Sequence, residues 1–244
     1  MNQHLGHFVH RELMTSDVDA ARAFYSALLG WAWQAVPMDG MTYWTSTAGD
    51  HPVAGVMPLM DAPAPAWSTY LSVADVDAAA ASVLANGGAQ LVPPMDIPGI
   101  GRWACVADPQ GAVFMLFTGA SESPPPPDRP PLGTVCWETL NTTDVEAALQ
   151  FYTAATPLTR AEFGGMAVLK AADGASVADV GPVAEGVPPH WLLHFAVADL
   201  AASRARLLEL GGSILVPEID IPTVGKIGIV ADPQGASFSL FQPA

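Results

Sequence analysis

GRWACVADPQGAVFMLF at residues 101–117 recurs as GKIGIVADPQGASFSLF at 225–241, an offset of 124, and LVPPMDIP (91–98) recurs as LVPEIDIP (215–222) at the same offset. DVDAARAFY (17–25) returns as DVEAALQFY (144–152) at offset 127, so the second copy is three residues shorter between these blocks. The two halves of the chain are copies of one another, and repeats of this kind decide the fold before any finer reading. A shorter echo lies inside each half: ELMTSDVDAA (12–21), YLSVADVDAA (70–79), TLNTTDVEAA (139–148) and HFAVADLAAS (194–203). Each predicts a short alternating strand ending in Asp17, Asp75, Asp144 or Asp199, followed by a helix. Aspartate suits that position because its carboxylate accepts the orphan N–H groups of the first turn and complements the helix dipole. In the first helix, Val18, Ala21, Phe24, Tyr25 and Leu28 fall at helical spacing, and Gly30 stops it. The DPQG tetrads at 108–111 and 232–235 carry Pro and Gly where a type I turn between strands prefers them. Each quarter therefore reads as a strand and a helix followed by about three strands, and the class is α+β.

The chain has 244 residues, of which half are hydrophobic and only 14% charged, a composition that excludes intrinsic disorder. No run approaches ~18 uninterrupted apolar residues, and MNQHLGHFVHREL at the start lacks the build of a signal peptide, so a soluble, cytoplasmic protein is expected. A net charge of −15 without a basic cluster argues against nucleic-acid and membrane partners, because such a surface repels phosphates. Two cysteines, Cys105 and Cys136, lie in apolar strand-like runs and read as buried free thiols; a disulfide framework or a cysteine zinc site is excluded by number. Residues 121–131 hold six prolines in eleven positions, a semi-rigid spacer that divides the chain into domains 1–120 and 132–244.

Four βαβββ units paired as two domains resemble the vicinal oxygen chelate superfamily, which includes glyoxalase I, the bleomycin-resistance proteins and the extradiol dioxygenases. The residues that carry the resemblance are the strand–Asp–helix blocks with FY at 24–25 and 151–152, the GG pairs at 87–88 and 211–212, and the DPQG hairpins followed by FMLF and FSLF. It implies two cup-shaped domains with mixed sheets, helices outside and a ligand inside. Strand alternation then sends Leu13, Leu71, Leu140 and Phe195 under the helices. His10, Glu12 and Met14, Ser68, Tyr70 and Ser72, Trp137, Thr139 and Asn141, and Leu192, His194 and Ala196 face the cups. The resemblance further implies a divalent ion held at positions that are here His10, Ser68 and Met115 in the first half and Trp137, Leu192 and Ser239 in the second. Only His10 among these six is a good ligand for such an ion. Glu12, two residues along the same strand face, could join His10 in a shifted site, with His51 as a third donor, but a hydrogen-bonded polar pair is the plainer reading. His4 and His7 are expected to fray with the N-terminus, and His194 to be a ligand-binding or satisfied buried histidine.

No GxSxG elbow, phosphate loop or dinucleotide fingerprint is present. The expected function is metal-independent binding of a small metabolite or toxic compound, with His10, Glu12, Tyr70, Ser68, Met115, Trp137, Thr139 and His194 as ligand-binding candidates and no cofactor. The alternative is an enzyme, a lyase, isomerase, hydrolase or dioxygenase, using Glu12, His10 and Tyr70 for acid–base chemistry or an irregular metal site. A fused tandem also places two copies as a dimer of single domains would, so a monomer is expected. Mild proteolysis should cut first within 121–131 and leave two fragments of similar mass, as read on a denaturing gel; first cuts elsewhere would refute the spacer.

Overall fold

The computed structural model describes residues 4–38, 40–60, 62–120 and 130–244. Four βαβββ repeats follow in order: β1 (Phe8–Thr15), α1 (Val18–Leu29), β2 (Ala32–Met38), β3 (Met41–Ala48) and β4 (His51–Pro58); then β5 (Ala66–Ser72), α2 (Val76–Ala85), β6 (Ala89–Ile97), β7 (Gly101–Ala107) and β8 (Val113–Gly119). The second half repeats them as β9 (Val135–Thr142), α3 (Val145–Ala155), β10 (Thr159–Phe163), β11 (Met166–Lys170) and β12 (Ser176–Pro182), then β13 (His190–Ala196), α4 (Leu200–Glu209), β14 (Ser213–Ile221), β15 (Gly225–Ala231) and β16 (Ser237–Pro243). All four helices start as the repeat predicts. The carboxylates of Asp17, Asp75, Asp144 and Asp199 accept from the N–H three residues on, at 2.9, 3.0, 3.0 and 2.9 Å. Gly30 ends α1 in the left-handed conformation, φ 74°.

The strands form two mixed eight-stranded sheets, ordered β2-β3-β4-β1-β5-β8-β7-β6 and β10-β11-β12-β9-β13-β16-β15-β14. The last strand of each repeat returns parallel to the first, as in β1 with β4 and β9 with β12, while the hairpins are antiparallel. Most of the spacer at 121–131 lies outside the described residues. No helix among the described residues is long and apolar enough to cross a membrane.

Buried cores apportion the chain differently from the sheets. One compact unit, here the mid-chain unit, comprises Met1–His10, Ser68–Pro126 and Glu138–Trp191; the other, the chain-end unit, comprises Arg11–Trp67, Pro127–Trp137 and Leu192–Ala244. In the mid-chain unit Leu71, Phe114, Leu116, Leu140 and Leu169 share one core with α2 and α3. In the chain-end unit Leu13, Phe24, Phe195, Leu207 and Phe238 share another with α1 and α4. Each core thus joins side chains from both sides of the spacer, because each helix's apolar stripe is covered by a repeat from the other half.

The DPQG tetrads, predicted as turns, are also clamps. In the mid-chain unit the Asp108 carboxylate accepts from the Gln110 and Ala112 N–H groups at 2.9 Å each and from the Tyr152 hydroxyl at 3.3 Å; that hydroxyl in turn accepts from the Trp191 indole at 3.1 Å. Gln110 Oε1 accepts from the Asp144 N–H at 2.7 Å and from the Thr142 and Thr143 hydroxyls, while its Nε2 donates back to the Asp144 carbonyl at 2.9 Å. The chain-end unit repeats the pattern. Tyr25 donates to Asp232 at 3.0 Å and accepts from Trp67 at 3.1 Å, and Gln234 grips Asp17 through its N–H at 2.6 Å and its carbonyl at 2.8 Å. The FY motif is therefore explained by its tyrosine: Tyr25 and Tyr152 are wholly buried, and Asp108 and Asp232 are 3% exposed. Burial pushes both carboxyls up, against the pull of the backbone N–H donors.

Three local expectations are corrected. The N-terminal segment docks: Gly6 N–H donates to Ser72 O at 2.9 Å, and His7, 7% exposed, sits 2.8 Å from the Asp173 carboxylate. Glycine at position 6 permits this close approach, since a Cβ there would lie 2.9 Å from Ala171 Cα. His51, read as a loop residue, opens β4. Cys136 is half-buried and donates to the His194 carbonyl at 3.2 Å, whereas Cys105 is buried. Replacing Tyr25 or Tyr152 by Phe strips a buried carboxylate of a donor and an indole N–H of its acceptor; each should lower unfolding free energy by about 2 kcal/mol in a denaturant titration.

Candidate functional site

Alternation along β1, β5, β9 and β13 sorts their side chains onto two faces. Leu13, Leu71, Leu140 and Phe195, all at 0% exposure, lie in the helix-side cores. The intervening residues occupy the face away from the helices, and they form four groups.

The first belongs to the mid-chain unit. The half-buried His10 ring meets the Tyr70 ring edge-on at 5.1 Å. Tyr70 lies opposite Met115 in the β5–β8 ladder and 6.2 Å from the Phe117 ring, and β7 adds Trp103 and Cys105 through their register with Phe117 and Met115. The result is a wall of rings and sulfur with one imidazole at its edge. Burial raises the Cys105 thiol to about 11, so at neutral pH it is a packing group and not a nucleophile. Ser68, on β5 two residues before Tyr70, is 6% exposed.

The second group belongs to the chain-end unit. Glu12 is 7% exposed, and its Oε2 accepts from the Tyr43 hydroxyl at 3.0 Å. Tyr43 comes from β3 and must pass over β4 to reach β1. It does so at Gly55, the register partner of Glu12, where a Cβ would stand 1.7 Å from the Tyr43 oxygen. Burial, reinforced by the Glu12 charge, raises the Tyr43 hydroxyl far above its usual range, so it stays a donor. Glu12 and His10 are neighbours on one face of β1, roughly 6.5–7 Å apart along a strand.

The third group, again in the mid-chain unit, joins β9 and β12. Thr139 donates to Asp179 Oδ1 at 2.6 Å, and Asn141, next on that face, has its amide nitrogen 3.5 Å from His190 Nε2. The fourth, in the chain-end unit, is His194, register partner of the wholly buried Ser239 and itself 5% exposed. Burial lowers its imidazole to about 4, so it is neutral at pH 7. Trp137, on β9 in the same unit, is half-buried.

Tyr43, Asp179 and His190 were not among the sequence candidates. Tyr43 becomes legible only once Gly55 is known to face Glu12. Asp179 carries a signal that could have found it: a carboxylate inside the apolar strand Val177-Ala178-Asp179-Val180. The donor set that the ion of the resemblance would meet is His10 with Ser68 and Met115, or Trp137 with Leu192 and Ser239. One imidazole, a thioether and a hydroxyl do not fit a hard or borderline divalent ion. Among the described residues no three His, Cys, Asp or Glu side chains gather as a metal site.

Fold and repeats together define a tandem glyoxalase-type protein, and comparison with known proteins agrees. The family model described as Glyoxalase/Bleomycin resistance protein/Dioxygenase superfamily matches residues 4–116, and one described as a glyoxalase-like domain matches 137–241. The chain belongs to this superfamily. It is 36% identical over 252 residues to "Putative glyoxylase CFP32" of Mycobacterium tuberculosis, spanning 96% of this chain and 93% of that protein. It is 32% identical over 254 residues to "Anthracycline biosynthesis protein DnrV" of Streptomyces peucetius, spanning 95% and 91%. Among solved structures, a mutant 4-hydroxymandelate synthase from Streptomyces coelicolor shares the fold with a TM-score of 0.64 at 16% identity, over 99% of this chain and 93% of that one.

His194 gives the site a pH signature. Its folded value, about 4, lies below the ordinary 6.5, so the unfolded chain takes up the proton first as pH falls. Stability should therefore drop between about pH 6.5 and 4, by about 3 kcal/mol in all from this group. His194→Gln should flatten that part of the stability profile relative to the parent, as measured by urea unfolding at stepped pH.

Proposed function

We propose that the protein binds a small organic metabolite or toxic compound on the first-half sheet face, around His10 and Tyr70, and that it does so without a catalytic divalent ion. The observation that carries this reading is the donor set: His10 alone, among the six positions where the family's ion would be held, has the right chemistry. What surrounds His10 instead is a ligand wall. Tyr70, Trp103, Phe117 and Met115 offer ring faces and polarisable sulfur to a flat, largely apolar molecule, and the His10 imidazole supplies a polar contact of the kind that fixes orientation in such sites. The names of the relatives, a glyoxylase and an anthracycline biosynthesis protein, both point to small-molecule chemistry. A soluble cytoplasmic monomer without nucleic-acid or membrane partners fits the acidic composition and the tandem fusion.

A second reading is favoured by one detail, the Tyr43 hydroxyl on Glu12. A carboxylate oriented by a fixed donor is suited to accept a proton from a bound hydroxyl or an acidic C–H and to return it. Such an enzyme would run metal-free acid–base chemistry on the same face.

The deciding experiment is metal analysis of untagged protein before and after incubation with Mn²⁺, Ni²⁺, Zn²⁺ and Fe²⁺, with melting followed in parallel. Less than one tightly held ion per chain is expected, with a melting shift below about 1 °C, because only a ligand that binds the native state raises its stability. A stoichiometric ion that is lost in His10→Ala or Glu12→Gln would overturn the reading and make the protein a metalloenzyme.

A further inference from the structure

The carboxylate–hydroxyl pairs of the two halves occupy the same topological place by different means. In the first half the carboxylate is Glu12 on β1, its register partner on β4 is Gly55, and the hydroxyl arrives from Tyr43. In the second half the register partner carries the carboxylate: Asp179 on β12 lies opposite Thr139 on β9, and Thr139 provides the hydroxyl. The acid has changed strands while the pair has stayed. Ala178 and Val180, the neighbours of Asp179, are buried on the helix side, so the Asp179 side chain belongs to the opposite face, with Thr139 and Asn141.

Two more features make this a site. Next along the ladder, Asn141 lies opposite Gly181, and a Cβ at Gly181 would meet nothing within 4 Å, so there is open space beside the amide on the Asp179 face. The corresponding position of the first half is Met57, opposite Met14, so there a side chain stands where the second half has none. The amide is also oriented. His190 Nδ1 is 2.9 Å from the Pro188 carbonyl, which selects the tautomer with a proton on Nδ1 and leaves Nε2 as an acceptor for the Asn141 NH₂. Asn141 then turns its carbonyl oxygen away from the imidazole. Carboxylate and amide carbonyl are both acceptors, with room above the sheet face at Gly181, where a side chain is missing.

We infer that the second half carries its own ligand site, formed by Asp179, Thr139, Asn141 and the gap at Gly181, and that it takes a small molecule presenting an ammonium group. Thr139 fixes one oxygen of the carboxylate, and the acceptors match the three N–H bonds of an ammonium. This site stands apart from the reading of the His10 face and shares none of its residues.

The test is an amide-resolved NMR titration of the full chain with tyramine, which carries an ammonium on an aryl-ethyl group, and with 3-(4-hydroxyphenyl)propionate, which carries a carboxylate in its place. Tyramine should give saturable shifts at residues 139–141 and 179–181, and the carboxylate none there. Asp179→Asn should weaken tyramine binding at least about tenfold, the loss expected for one charge-assisted contact. Gly181→Val, which keeps every polar group and has space for its side chain, should do the same by filling the gap. Both variants should melt within a few degrees of the parent, a range surface substitutions respect. Absence of saturable shifts at these residues, or tyramine affinity unchanged in both variants, would overturn the inference. Shifts confined to the His10–Tyr70 wall would overturn it too, while supporting the first-half site.

Discussion

A tyrosine hydroxyl buried against a buried carboxylate holds each compact unit of this protein together. Tyr25 with Asp232, and Tyr152 with Asp108, are not accessory contacts on finished cores. A carboxylate at 3% exposure is tolerated only when its oxygens are satisfied, and here a helix tyrosine and the backbone N–H groups of a hairpin turn satisfy them, while an indole donates to the tyrosine. Gln110 and Gln234 extend the same clamp outward to the backbone at the start of the opposing helix, where Asp144 and Asp17 already cap the first turn. One tetrapeptide therefore turns a hairpin, buries an acid and fixes the entry of a helix in the other half of the sequence. Because these constraints hold each helix against the buried face of its strands, the residues of the opposite face are not needed for the core.

On that other side the two halves have diverged. The first offers an aromatic and thioether wall with His10 and an oriented carboxylate; the second offers a polar set around Asp179 and a neutral, enclosed His194. Strand alternation accounts for the division of labour, since changing the outward-facing residues of a strand leaves the helix-side core untouched. A glycine on β4 lets Tyr43 cross to Glu12, whereas the matching position on β12 is itself an acid. Such exchanges explain how one fold can carry several chemistries, and why function must be argued from the face and not from the frame.

The repeat, the four capping aspartates and the two faces of β1, β5, β9 and β13 were all legible in the sequence, because each rests on local periodicity or on a residue whose side chain serves its own neighbours. The clamp was only half legible. DPQG reads as a turn from its proline and glycine, but the partner of its aspartate lies in another repeat, and nothing local names Tyr152 or Tyr25. Tyr43 was hidden for a related reason: its role depends on the absence of a side chain on the neighbouring strand. His7 was misjudged because position near a terminus suggests fraying, whereas Gly6 lets the backbone dock and Asp173 receives the imidazole. The proline content of 121–131, likewise, does not say which helices share a core.

The clamp also sets an order of events in the making of the protein. Tyr152 and Asp108 are 44 positions apart, so the mid-chain core has all its clamp residues once the third repeat and Trp191 are available. Tyr25 must wait for Asp232, 207 positions later. During synthesis from the N-terminus, the apolar stripe of α1 and the indoles of Trp31 and Trp67 therefore remain without their final cover until Phe238 and Leu240 have been added. Closing so long a loop is entropically slow relative to local pairing. The chain-end unit is thus the late-folding part of the molecule, and the interval before it closes is when the nascent chain is most exposed to aggregation and to chaperones.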